Sequence, residues 1–519
     1  MALWTVMVYL SGDNNLTEEM ILALKEIQRI QPNDYIKVVA QFDPSGLGVP
    51  TRRYDFSMPE PGREGDGNLD RFAVADVVQL DETNTGNPEA LSDFILWAKH
   101  RHEAENYFLI LSGHGSGAEE DFLLKDESSG DSLTIPELQW AICRANVPIR
   151  ILGLDNCLMS TAEVIDAVSR HRPIKNGDAP CTSAAHVEYV IASEGFAPSQ
   201  GWPYHRFLES ILKSPQIYLD PKTTVANVLE LVVDGYGRFY SDYDFAAGES
   251  TDISAIEVKE IAPLRDSLTA LTTVLTTSLN DPAFVDQLLL AKWSSQTYKF
   301  GQYVDLRDFC EILRDRTQGV FQTVSDHCQL VVDAVKHCVV RSCCTGPRVQ
   351  RSYGLSMYFP WAVIHESYQQ LSMPKETGWF DFLLAYLERT RRASRHECDR
   401  YKVHRPLLVP PDQQCNVQRV FQKRKRPDLG ISLGLGFLQA PNVPSSYASN
   451  SNGEKRYIAS KYIASKFQSG ASDLQPVTQW IQNPATGSGA TCYVRGEDGG
   501  NEFPLKRDDG TSGSHSLGP

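Results

Sequence analysis

Short, almost uninterrupted apolar runs alternate with amphipathic segments through the first part of the chain. Thr5 to Leu10 is a β-rich run that stops at the turn signal Ser11, Gly12 and Asp13. Behind it Leu16, Met20, Ile21, Leu24 and Ile27 recur at helical spacing. KVVAQF, from Lys37 to Phe42, predicts the next strand. Leu91, Phe94, Ile95 and Ala98 share one face of a helix around Ala90 to Trp97, which leads into a strand from Tyr107 to Leu111. A short helix over Pro136 to Ile142 precedes a further strand from Arg150 to Leu154. Strands apolar on both faces, separated by amphipathic helices, predict an α/β fold with a mostly parallel sheet covered on both sides.

Helical periodicity dominates from about Pro221 to Cys344. Gly354 to Phe359 supplies one more buried-looking strand and Trp379 to Leu387 a helix. A lone strand needs a sheet to join, so these segments are assigned to one catalytic unit over residues 1–395. Within it the catalytic strands occupy about 1–205, a helical region about 221–344, and the further strand and helix about 350–390. Past Arg395 the periodicity stops. From Ser445 onward Ser, Gly, Asn and Pro accumulate, and Tyr457 to Lys461 is echoed by Tyr462 to Lys466. A tail of this kind, 396–519, buries too little apolar surface to offset its ordering entropy and is expected to be disordered.

Hydrophobic residues at 41% and charged residues at 22% exclude a wholly disordered chain. No run approaches the roughly 20 apolar residues of a membrane span. A net charge of -15 disfavours nucleic acid as partner and favours basic substrates. MALWTVMVYL at the start has no basic region and reads as a strand, not a signal peptide. The 11 cysteines are odd in number and scattered, with Cys343 and Cys344 adjacent, which is no disulfide framework. A reduced, cytoplasmic protein is expected, or a secreted one if an export signal has been removed.

Two strand ends bear the chemistry: LILSGHGSG, from Leu109 to Gly117, and LGLDNCLMSTAEV, from Leu152 to Val164. Functional groups in open α/β sheets collect beyond the carboxyl ends of the strands. A thiol needs to become thiolate to attack, and an imidazole beside it takes that proton and later protonates a leaving amine, so Cys157 and His114 suffice for acyl transfer. The N–H groups of Gly115 and Cys157 are candidates for the oxyanion hole. A helix beginning at Cys157, through Thr161, Ala162 and Val164, would further favour the thiolate.

These motifs, with VMVYLSGDNNL at Val6 to Leu16, NTGNPEALSDFILWA at Asn84 to Ala98, VIASEGFAPSQGWPY at Val190 to Tyr204, YVDLRDF at Tyr303 to Phe309 and GLSMYFP at Gly354 to Pro360, make the chain resemble the clostripain family of cysteine peptidases over about residues 4–390. The resemblance implies a caspase-like three-layer sandwich with extra helical segments. It implies an endopeptidase whose catalytic dyad is His114 and Cys157 and whose partner is a protein or peptide with Arg or Lys before the scissile bond. Asp155 matches the carboxylate at the floor of the specificity pocket, and Ser193 and Glu194 lie in the stretch matching a pocket wall. Some members cut themselves in the loop between the catalytic strands, where Gly117 to Leu133 offers Lys125 as the basic residue. Some respond to calcium; Glu119, Glu120, Asp121, Asp126 and Asp131 are acidic residues in that loop, although their spacing matches no EF-hand. No organic cofactor is required.

Competing readings fit less well. The glycines around His114 match neither G-x-G-x-x-G nor G-x-S-x-G, and no P-loop lysine follows. His327-Cys328, His337-Cys338 and Cys343-Cys344 suggest zinc, yet Val331, Val332, Val335 and Val339 between them describe a packed helix without tetrahedral-site spacing. The remaining alternative is a catalytically silent scaffold whose tail binds other proteins, against which stands the presence of both His114 and Cys157.

Overall fold

The computed structural model describes all residues except 31–32, 47, 58–75, 120–121, 171–186, 219–220, 248–249, 401–476, 483–489, 495–502, 507–511 and 516–519. Its strands are β1 (Ala2–Gly12), β2 (Ile36–Pro44), β3 (Arg52–Asp55), β4 (Asp76–Gln79), β5 (Ala104–Ser112), β6 (Leu123–Asp126) and β7 (Asp131–Leu133). They continue with β8 (Ile149–Asp155), β9 (Val187–Ala192), β10 (Thr251–Glu257), β11 (Thr297–Tyr298), β12 (Tyr303–Asp305), β13 (Val339–Thr345) and β14 (Ser356–Tyr358).

Two compact units emerge. The first comprises Met1–Val274, Asp305–Tyr358 and His365–Phe380. It is organised on a nine-stranded sheet of order β13-β10-β9-β8-β5-β1-β2-β3-β4. The five central strands run parallel, and both flanks turn antiparallel, at β9/β10 on one side and β2/β3 on the other. Every residue of β1 from Trp4 to Leu10 is buried because the two faces are both covered. Val6, Val8 and Leu10 pack into one core cluster with Leu24, Phe207 and Val232 from helices Thr17–Gln28, Tyr204–Lys213 and Pro221–Ala247. Tyr9, turned the other way by strand alternation, meets Phe94 of helix Pro88–Arg101 with ring centroids 5.4 Å apart. Fully burying each such apolar side chain is worth about 1.5–3 kcal/mol, so the alternation itself fixes strand register. The expected helix–sheet–helix sandwich is therefore present.

The helical reading of 221–344 needs correction at β10, β11, β12 and β13, of which the first and last matter most. Thr251–Glu257 and Val339–Thr345 are strands that extend the main sheet. TDISAIE and VVRSCCT are rich in β-branched residues and were hidden between helices. The stretch Gly117 to Leu133 is not simply a loop, since β6 and β7 pair within it as an antiparallel hairpin. Cys143 is disulfide-bonded, against the expectation of reduced thiols throughout. Cys157, Cys310, Cys328, Cys338, Cys343 and Cys344 are not disulfide-bonded.

The second unit comprises Leu275–Val304, Phe359–Ile364 and Asp381–Pro519. Its helix Pro282–Ser294 is opened by Asp281, whose side chain accepts from the Ala283 N–H, and it buries Lys292 completely. The Lys292 ammonium donates to the Pro360 carbonyl at 2.6 Å and lies over the rings of Phe359 and Trp361. The helix expected from Trp379 to Leu387 continues to Arg400, past the boundary drawn at 395. The tail's expected disorder and the tandem echo at 457–466 fall mostly outside the described residues. Within the tail, Val477–Gln482 pairs with Ala490–Val494, and Phe503–Lys506 with Ser512–His515. Among the described residues no helix is long and apolar enough to cross a membrane.

Candidate active site

Parallel pairing of β5 and β8 sets Ser112 opposite Asp155. His114 and Cys157 each lie two residues beyond, on neighbouring loops at the carboxyl edge. Asn156 joins those loops: its Nδ2 donates to the Gly113 carbonyl at 2.8 Å and to the His114 carbonyl at 3.3 Å. Gly115 is required by the same closeness. A Cβ there would sit 2.7 Å from the Cys157 carbonyl oxygen and 2.9 Å from Cβ of Asn156.

Cys157 is part-buried, with Sγ 3.9 Å from the Ala197 carbonyl oxygen. It does not begin a helix. Leu158 follows in the left-handed region at φ 65°, and helix Ala162–Ser169 starts only after Thr161, whose side chain caps it by accepting from the Val164 N–H. A macrodipole contribution fades within one turn, so this helix does little for the Cys157 thiol. Burial pushes the His114 pKa below the ordinary histidine value; Lys125 lowers it further and Glu127 raises it. Nε2 of His114 lies 2.8 Å from Oδ1 of Asn15, on the turn after β1. With an amide oxygen as acceptor, Nε2 bears the proton and Nδ1 keeps a lone pair, the state a general base needs.

Asp155, two residues before Cys157, is buried. Ser112 Oγ and Tyr204 OH each donate to its Oδ2 at 2.9 Å, and the Trp202 N–H donates at 3.2 Å. Oδ1 is buried with no hydrogen-bond partner. Burial pushes this carboxyl up to about 6, against the three donors that lower it. Gly201, at φ 66°, passes close enough that a Cβ would lie 2.8 Å from Oδ2.

The two pocket-wall residues sit differently. Ser193 has a buried hydroxyl without a partner. Glu194 turns into the interior: fully buried, it accepts the Gly354 N–H at 2.8 Å and lies against Asp305, and burial with that neighbour raises its pKa well above the usual range. Lys125 lies on β6, half exposed and paired with Glu127 at 2.9 Å. Its carbonyl accepts from Asn14 Nδ2 at 2.7 Å and from Ser11 Oγ at 3.3 Å. Glu120 and Asp121 lie outside the described residues. Asn15, Asn156 and Tyr204 all fall inside the quoted motifs, and sequence reading missed them because an amide or phenol has no distinctive spacing.

The parallel sheet thus places an imidazole and a thiol at adjacent strand ends. The clostripain family model matches residues 8–384, and the chain belongs to that family. It is similar to clostripain of Hathewaya histolytica, with 27% identity over 234 residues, 40% of this chain and 42% of that protein. The chain thus aligns with less than half the length of that relative. It is also similar to a secreted cysteine protease from Bacteroides thetaiotaomicron in complex with an irreversible peptide inhibitor, at 17% identity and a TM-score of 0.49, covering 73% of this chain and 100% of the other. An inactive zymogen protease from Parabacteroides distasonis gives 18%, 0.48, 72% and 98%.

Proposed function

We propose that this protein is a cysteine endopeptidase that cleaves after Arg or Lys, with Cys157 as nucleophile and His114 as general base and acid. The observation that supports the basic preference is the unpartnered oxygen of Asp155, two residues before the nucleophile. A cationic side chain from substrate would pair with it. An apolar one would leave a buried carboxylate unsatisfied, at a cost of about 1–3 kcal/mol or more.

The steps balance with the chain's own groups and water. His114 takes the thiol proton, and the Cys157 sulfur adds to the scissile carbonyl carbon. Its oxygen becomes an oxyanion, for which the Gly115 and Cys157 N–H groups are the candidate donors. The C–N bond breaks as the imidazolium gives its proton to the leaving amine. Water, deprotonated by His114, then hydrolyses the thioester and restores the thiol.

Self-cleavage after Lys125 belongs to the same reading. Support comes from its charge acting on His114 and from its half-exposed side chain. The bonds from Asn14 and Ser11 to its carbonyl mean that the β6/β7 hairpin must open first. The disulfide at Cys143 and the secreted relative favour an oxidising location.

Fluorogenic peptides ending in Arg, Lys, Asp or Leu test the proposal. Turnover of Arg and Lys peptides, absent in Cys157→Ala and losing its basic preference in Asp155→Asn, is expected. A purified protein silent on all four, whether intact or cut at Lys125, favours the scaffold reading instead.

A further inference from the structure

Three carboxylates meet at the carboxyl edge of the sheet, apart from the thiol. Asp13 follows β1, Asp43 lies near the end of β2, and Asp126 closes β6. One oxygen from each falls within 4.8 Å of the others, and all three side chains are buried. Their positions are fixed by donors. The Ser128 N–H reaches Asp13 Oδ2 at 2.9 Å; the Ser129 N–H reaches Asp126 Oδ1 and the Thr85 N–H reaches Asp126 Oδ2, each at 2.8 Å. Thr51 Oγ1 donates to Asp43 Oδ1 at 2.6 Å.

The second oxygen of Asp43 has nothing. Oδ2 is buried and without a hydrogen-bond partner, in a side chain with no exposure. The charges acting on it are those of Asp126, Asp13 and Glu82, all negative. Among the described residues no Lys or Arg pairs with any of the three. An unsatisfied buried oxygen among like charges is costly, and a cation between them removes both penalties.

We propose that Asp13, Asp43 and Asp126 bind a hard divalent cation of the calcium and magnesium class. Oxygen-only, carboxylate-rich donors select such ions over zinc or copper. A calcium ion with bonds of about 2.3–2.6 Å spans ligand atoms up to about 5 Å apart, and water completes the shell. The ion would also tie together the turn that holds His114. Asp13 precedes Asn14, which holds the Lys125 carbonyl, and Asn15, which holds His114, while Asp126 follows Lys125 directly.

The test uses the full chain with Cys157→Ala, so that no turnover or self-cleavage intervenes, treated with chelator and titrated calorimetrically with calcium chloride and, separately, magnesium chloride. One saturable site for at least one ion is expected, weakened at least about tenfold by Asp43→Asn and unchanged by Asp131→Asn on the exposed hairpin. Thermal melting gives a second readout that a purely structural carboxylate would not produce. Without the ion, Asp43→Asn melts higher than its parent because a buried repulsion is gone; with the ion, the order reverses. No saturable binding of either ion up to about 10 mM overturns the proposal, as does binding that Asp43→Asn leaves unchanged.

Discussion

Oδ1 of Asn15 lies 2.8 Å from Nε2 of His114, so the residue that orients the imidazole comes from the turn after β1, far away in sequence from the His114 and Cys157 motifs. An acceptor on Nε2 selects the tautomer with the lone pair on Nδ1, the form the proposed general base requires. Without it the ring rotates freely and populates the wrong tautomer.

Asn15→Ala is therefore expected to lower kcat by roughly tenfold to hundredfold with little change in KM, because orientation is lost and not substrate binding. Asn15→Asp should restore the acceptor and raise the pH at which the imidazole deprotonates. Steady-state kinetics from pH 5 to 9 read both effects. Equal loss in kcat and gain in KM in both variants would assign Asn15 to the fold instead.

Four strands of the nine-stranded sheet were legible, because each of β1, β2, β5 and β8 is an apolar run bounded by turn residues, and burial on both faces leaves such runs no other place. β10 and β13 were missed for a physical reason: they lie at the antiparallel flank, where polar Ser254, Arg341 and Ser342 interrupt the run and only pairing with β9 and with each other identifies them. At the candidate site, His114, Cys157 and Asp155 were picked out by side-chain chemistry and a fixed offset from a strand end, and the pairing of β5 with β8 brings those strand ends side by side. Asn15 and the Asp13, Asp43 and Asp126 group could not, since their meaning arises only when the ends of β1, β2 and β6 are brought together in space.

The carboxyl of Asp155, raised to about 6 by burial, predicts a pH limb on specificity. Below about pH 6 the free enzyme's Asp155 is protonated and loses its attraction for a cationic side chain, so kcat/KM for Arg peptides should fall there more steeply than for Leu peptides. The stability sign is opposite. A carboxyl whose folded pKa is raised stabilises the fold fully below its unfolded value near 3.8, and that contribution is lost as pH rises through about 6. Asp155→Asn should therefore gain about 2 kcal/mol relative to wild type between pH 4.5 and pH 8, read from urea unfolding at the two pH values. A constant difference would mean that Asp155 is ionised at both.

Glu194 and Asp305 share the interior with Asp252, and burial raises both members of the pair, Asp305 to about 7 and Glu194 well above its usual range. The protonated Glu194 carboxyl then donates to Asp305, while Asp305 caps helix Leu306–Thr317 by accepting the Asp308 N–H. Raised folded values mean that this pair stabilises at low pH and that the contribution fades as pH climbs through about 7 and beyond. Glu194→Gln keeps a neutral donor of the same shape, so stability at pH 6 should change by less than about 1 kcal/mol and its decline toward pH 9 should flatten; Glu194→Ala should lose about 1–3 kcal/mol at pH 6 by leaving the Gly354 N–H unpaired. Because the carboxyl is enclosed, Glu194→Gln should also preserve the preference for Arg over Leu peptides, whereas Asp155→Asn should abolish it. A Gln variant that loses that preference while melting like wild type would put Glu194, and not Asp155 alone, in contact with the substrate cation.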